Sequence, residues 1–254
     1  MKRLFIILTL FLIFINTSAL GKSAFVKKEV KTVTPDNFTL ISTLQYPNIK
    51  QQKEFKTVVL LHSMGYDSNW WEDLPTELLN RGYAVLLIDF RGHGKSVYNS
   101  KLVRVSWKNM TNAAFAKYPS DVLNIIEQVK KDNPKKVFFN DWAIIGSDVG
   151  AATGIIAANK MEIKPKTIVM LSPVVKTRSI YAPVSLAEMN NVDILSVCGI
   201  NDISSVRAQN YLRKFAQSNY AEYSSTSKAS GMLMIKNDSG LTPLLASWIA
   251  QYLK

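Results

Sequence analysis

The sequence predicts an α/β fold, a mostly parallel central sheet with helices on both faces. Three observations predict it. Short unbroken apolar runs such as "TVVLLH" and "YAVLLID" read as strands covered on both faces. Segments with helical spacing lie between them, so strand and helix alternate along the chain. Finally, "IIGSDVGAA", Ile144 to Ala152, passes from an apolar run through a Gly-framed turn into a series of small residues. That is the pattern of a strand turning sharply into a closely packed helix.

Taken in order, the chain starts "MKRLFIILTLFLIFINTSALGK". Lys2 and Arg3 are followed by an apolar run from Leu4 to Ile15, broken by Thr9, and by Ala19 and Gly21 at a small-residue cleavage site. This is a signal-peptide pattern over residues 1–21, leaving 22–254 as a single domain. The run is short for a membrane span of roughly 20 residues. Export to a periplasm or the exterior is the expectation, with an uncleaved N-terminal anchor as the alternative.

Next, "AFVKKEVKTVTP" and "FTLISTLQYP" alternate apolar and polar residues, as antiparallel strands with one solvated face do. Thr57–His62 is a buried strand. Glu72–Gly82 has helical spacing and stops at a glycine. Tyr83–Asp89 is a second buried strand. Pro119–Lys131 begins with capping residues and ends in lysines, as a helix should. "WAIIGS" is a strand and "VGAATGIIAANK" a helix. Lys166–Pro173 and Asp193–Asp202 are strands, the second running into a loop, and Val206–Ser218 is a helix. Gly231–Asp238 reads as a last strand and "TPLLASWIAQYLK" as the last helix. Right-handed crossovers then gather the strand C-termini at one edge. Loops after Ile88, Ile145 and Ile235, with the loop holding Asp202, converge there.

Composition narrows the function. The formal charge is +12, with lysines scattered through expected surface strands, helix ends and loops. That pattern serves solubility and allows weak association with an anionic membrane or cell-wall surface, with no specific nucleic-acid motif. Cys198 is the lone cysteine, so no intramolecular disulfide forms, and it reads as a small buried hydrophobe. No zinc-ligand spacing, P-loop or repeat is present, and no cofactor or metal is expected. A cluster of Asp148, Asp202 and Asp238 as a cation site matches no calcium-loop spacing. Asn37, Asn109 and Asn237 begin N-x-S/T sequons.

The segments "VVLLHSMG", "DFRGHGKS", "IIGSDVGAATG", "LSPV", "CGINDISS" and "NDSGLTPLLASWIAQYL" give the chain a resemblance to the α/β-hydrolase superfamily. Their order and spacing cover most of Thr57 to Lys254. They are similar to secreted or envelope bacterial members whose helix begins Gly-Ala-Ser-Ile-Gly-Ala-Asn and whose next strand ends Leu-Ser-Pro. The resemblance implies an α/β-hydrolase fold and, for an active member, hydrolysis of an ester or related acyl substrate. The span "VVKTRSIYAPVSLAEMNN" is too short for a full lid domain. In the family, the residue between the framing glycines is the nucleophile, held on a strained turn. Here that residue is Asp148. The implied acid is Asp202 and the implied base position, before the last helix, is Ser239. The oxyanion amides map to Met64 and Val149.

The resemblance also shows what is missing. The chain has two histidines, His62 and His93, and both match structural motif positions. A serine nucleophile needs a base, and a covalent ester needs one to activate water. Three readings of the apex are open. Asp148 can be a nucleophile, as in dehalogenase and epoxide-hydrolase relatives, although those also use a histidine. Ser147 can be the nucleophile, although it is one position early. Or Asp148 can be structural, tolerating φ > 0 and holding its carboxylate at a helix N-terminus, even in the oxyanion hole itself. The chain is accordingly expected to be a weakly active or inactive hydrolase with a pocket for a small acyl ligand or partner. An active Asp148-dependent hydrolase and a basic envelope protein acting through its surface are the alternatives. "NWW", Asn69–Trp71, can line a cleft or pack over the sheet edge.

Overall fold

The structure, a computed structural model, describes residues 24–52 and 54–254. The expected leader lies outside them. The chain opens with an antiparallel hairpin of β1 (Phe25–Val33) and β2 (Phe38–Pro47). Strand β3 (Phe55–Leu61), helix α1 (Leu74–Asn80) and strand β4 (Ala84–Ile88) begin the alternating part. A short β5 (Tyr98–Asn99) pairs with β2, and α2 (Asn112–Phe115) and α3 (Tyr118–Asp132) follow. Next come β6 (Val137–Ser147), α4 (Val149–Lys160) and β7 (Thr167–Leu171). A small hairpin, β8 (Lys176–Thr177) with β9 (Ile180–Tyr181), and α5 (Pro183–Ala187) fill the space where a lid could be inserted. The chain closes with β10 (Asp193–Gly199), α6 (Ile203–Leu212), β11 (Tyr220–Ser225), α7 (Leu233–Asn237) and α8 (Leu241–Tyr252).

The main sheet runs β1-β2-β4-β3-β6-β7-β10-β11. From β4 to β11 every pairing is parallel. The apolar runs become strands because each feeds two cores in alternation. In β4, Ala84, Leu86 and Ile88 enter one core, and Val85 and Leu87 the other. In β6, Trp142 and Ile144 face one side, and Ala143 and Ile145 the opposite. A period of two with no polar phase requires helices on both faces. On one face α3 and α4 supply that cover, through residues such as Val122, Ile125 and Ile155. On the other, α1 and α8 supply it through Leu74, Leu78, Leu245 and Ile249.

Two expectations need correction at the C-terminal end. Gly231–Asp238 is not a strand; its apolar centre forms α7. Met232, Met234 and Ile235 bury themselves in the α1/α8-side core. The last strand is β11, "YAEYSS", half solvated at the sheet edge and parallel to β10. Unbranched Leu and Met favour helix, and their side chains find burial against α1 and α8 in that form.

One buried ion network joins distant parts of this frame. Arg91, in the turn after β4, donates to both oxygens of Asp121 in α3 at 2.9 and 2.8 Å. It also clasps Asp36, in the β1–β2 turn, at 2.7 and 3.0 Å.

Candidate active site

The apex forms because two glycines let α4 lie against the sheet. A Cβ on Gly150 would collide with the carbonyl of Leu61, and one on Gly146 would sit 2.6 Å from Ala151. Between them Asp148 takes φ 52° and ψ −117°, a conformation few L-residues adopt. Its amide donates to Leu171 O in β7 at 2.9 Å, which pins the turn to the neighbouring strand.

At this apex the Asp148 side chain turns inward on its own site. Its Oδ2 accepts the Met64 amide at 3.1 Å, and the Val149 amide lies close enough to lower its pKa. Met64 and Val149 carry the two amides expected to form the oxyanion hole, and the carboxylate is hydrogen-bonded to the first of them. Burial pushes its pKa up, the two amides pull it down, and the charge of Asp202 pushes it up again; the net shift is upward.

Ser147 is fully buried, its Oγ 2.7 Å from Ser63 Oγ. Asp202 caps α6. Its Oδ1 accepts from Ser205 N at 3.1 Å and Ser204 Oγ at 2.9 Å. Its Oδ2 is sealed from solvent without a well-formed hydrogen bond. Burial pushes this carboxyl up, but the nearby Ser172, Ser205 and Ser204 groups outweigh it and leave the pKa below the usual value.

Ser239 is exposed in the turn between α7 and α8, next to Asp238, whose carboxylate is held by Ser225, Thr226 and Gly240. The end of the segment after the last strand, Gly231 and Met232, comes to the apex. Gly231 N donates to Ser172 Oγ at 2.7 Å, and a Cβ on Gly231 would lie 3.0 Å from Ser147 Oγ. Ala229 O packs directly on Gly199, at the end of β10. Residues 229–231 thus run between the acid loop and the apex. This neighbourhood was missed because it depends on β11, whose Ser-rich sequence hid it.

Both histidines are bound into the frame. His62 Nδ1–H donates to Ser63 O at 2.8 Å and Nε2 accepts from Phe90 N at 3.0 Å. His93 Nε2 accepts from Gly65 N at 3.1 Å, and its Nδ1 faces Arg91 O at 3.3 Å. Burial lowers the His62 pKa to about 4 and, with the neighbouring His62 ring, that of His93 to about 3. Both rings are thus held neutral, with a hydrogen-bond partner at each nitrogen.

The remaining candidates resolve by packing. Trp71 is fully buried, whereas Trp70 is half exposed and edge-on to Tyr66 at 5.1 Å. Cys198 is buried, bonded to Gln209 Oε1 at 3.2 Å, with its thiol pushed up to about 12 by burial. Asp148, Asp202 and Asp238 are each held by separate donors. Among the described residues no group of three or more His, Cys, Asp or Glu side chains is placed to hold a metal. A polar cleft of about 590 Å³ beside the oxyanion loop is lined by Asp67, Arg104, Ser106 and Trp107 rather than by Asp148.

Residues 52–222 match the model of the serine aminopeptidase family S33. The chain belongs to that hydrolase family. The match ends within β11, before the segment that approaches the apex. Solved structures agree on the α/β-hydrolase fold. An esterase from Exiguobacterium antarcticum superposes with a TM-score of 0.66 at 13% identity, covering 88% of this chain and 100% of that one. A dienelactone hydrolase from Anabaena variabilis gives 0.67 at 15% identity, covering 91% and 100%. An esterase from Pyrococcus furiosus gives 0.65 at 20% identity, covering 91% and 94%. No curated protein matches the sequence.

Proposed function

We propose that this S33-family chain is an exported, degenerate hydrolase, weakly active or inactive in acyl transfer, whose apex aspartate is structural. The observation that carries the reading is the Asp148 carboxylate accepting the Met64 amide. An oxyanion hole filled by a fixed anion cannot stabilise a second one. The engaged histidines support the same reading, because acyl transfer without a base loses several orders of magnitude. Export rests on the leader pattern alone. The site residues keep their family positions: Asp148 at the nucleophile, Asp202 at the acid, Met64 and Val149 at the oxyanion amides. For the base position we favour Ser230 over Ser239, because Ser230 lies between Ala229 and Gly231, which touch the acid side and the apex respectively.

The test is a panel of short and long acyl esters. The purified chain is expected to hydrolyse none of them faster than its Asp148→Ala variant. Activity that vanishes in Asp148→Ala would instead favour an ester hydrolase with an aspartate nucleophile. Asp148→Ser combined with Ser230→His is expected to raise esterase turnover about 100-fold, the order a positioned base supplies. A gain seen only with Ser239→His would return the base position to the α7–α8 turn.

A further inference from the structure

The exposed apolar side chains of this protein are not evenly spread. Ile200 and Ile203, on the loop entering α6 and at its first turn, are 64% and 65% exposed. Val206 and Tyr211 continue the outward side of the helix, and Tyr181 of β9, also exposed, lies beside Tyr211. Large apolar side chains left projecting together mark an interaction surface. The inner side of α6 shows the contrast: Ser205, Ala208, Gln209 and Leu212 are buried, so the apolar outer side is not needed for folding.

Among the described residues, the charges around this face left without a partner are cations, although one acid, Asp202, lies between Ile200 and Ile203. A groove of about 500 Å³ separates α6 from the segment after β7, with Lys176 and Arg207 among its lining residues. Neither cation is in an ion pair among the described residues. The acids in the same stretch are engaged: Glu188 by Asn159 at 2.6 Å, and Asp202 by its own helix. The chain as a whole carries +12.

We propose that this face docks on an anionic phospholipid bilayer, Ile200 and Ile203 entering the interface and Lys176 and Arg207 meeting the headgroups. Projecting aliphatic tips with long-stemmed cations suit that boundary, since the stems lie along apolar surface while the charges stay hydrated. The face adjoins the Asp202 loop, so docking turns the C-terminal edge of the sheet toward the lipid. This is independent of whether the apex is active.

The test uses a chain starting at Lys22, which keeps every core residue, Val30 to Leu253, and removes the apolar leader. Partition is measured by flotation with equimolar phosphatidylglycerol–phosphatidylcholine vesicles and with phosphatidylcholine alone. Binding to the anionic vesicles only, weakening with salt, is expected. Lys176→Gln with Arg207→Gln should reduce it about 30-fold, and Ile200→Ser with Ile203→Ser about tenfold. Ile163→Ser, an exposed apolar residue at the opposite edge of the sheet, should leave it unchanged; all variants should melt as the parent does. No partition to anionic vesicles, or equal partition by parent and face variants, overturns the proposal. So does binding by this face only to a protein partner.

Discussion

At the scale of single residues, the chemistry of this protein is decided by where two rings and one carboxylate point. His62 and His93 lie in a hydrolase framework yet act as rigid acceptors for the Phe90 and Gly65 amides. Their protonation would break those bonds, which gives a measurable sign. An unfolded imidazole titrates near 6.5, whereas the folded rings do so at about 4 and about 3. Below pH 6.5 the unfolded chain takes up protons that the folded chain refuses, so stability falls as pH falls. Each histidine contributes a slope of about 1.4 kcal/mol per pH unit until its folded value is reached. Chemical denaturation between pH 6.5 and 5, above most carboxyl titrations, should show that slope, and a flat profile would mean the rings are not held neutral. The apex itself was legible in the sequence, because two glycines four residues apart leave one position for the apex residue. The direction of the Asp148 carboxylate was not, since only the fold brings the Met64 amide to it.

At the scale of elements, the β6–α4 junction is the tightest contact in the site. The first turn of α4 rests on the end of β3, and Gly150 is the residue that permits it. Gly150→Ala puts a methyl group against the Leu61 and His62 carbonyls, which are backbone and cannot swing away. A loss of about 3 kcal/mol is expected, read from the urea midpoint. The strands β3, β4, β7 and β10 and the second half of β6 could be read from sequence because their burial on both faces leaves no polar phase; the first half of β6, with Asn140 exposed, was not read. The edge strand β11 could not: three of its six residues are Ser or Glu, and its pattern resembles a loop. Missing it displaced the reading of the segment that follows, up to the last helix, which is read correctly. "GMLMIKND" then took the vacant strand position, since four consecutive apolar residues do not by themselves distinguish strand from helix.

Across the whole molecule, Arg91 joins parts that the sheet alone leaves loosely related. It binds the antiparallel hairpin through Asp36 and α3 through Asp121, from a side chain that is 5% exposed. Desolvation works against its charge, but the two carboxylates outweigh it and hold the guanidinium pKa above its usual value. Asp36 is held below its usual range chiefly by Arg91, while Asp121 is pushed up by burial. Arg91→Ala leaves the Asp121 carboxylate buried without its partner. It should cost about 3–5 kcal/mol in denaturant titrations. Asp121→Asn paired with that variant should recover part of the loss, because the stranded charge is gone.

The carboxylate of Asp148 has one more consequence. Tethered to the backbone it blocks, it acts as an intramolecular ligand whose effective concentration no dissolved molecule can match. A ligand approaching the Met64 and Val149 amides must first evict a group that is never more than a bond rotation away. On the proposed reading, an acyl substrate would therefore meet a competition rather than a vacancy, with the fold's own chain as its competitor.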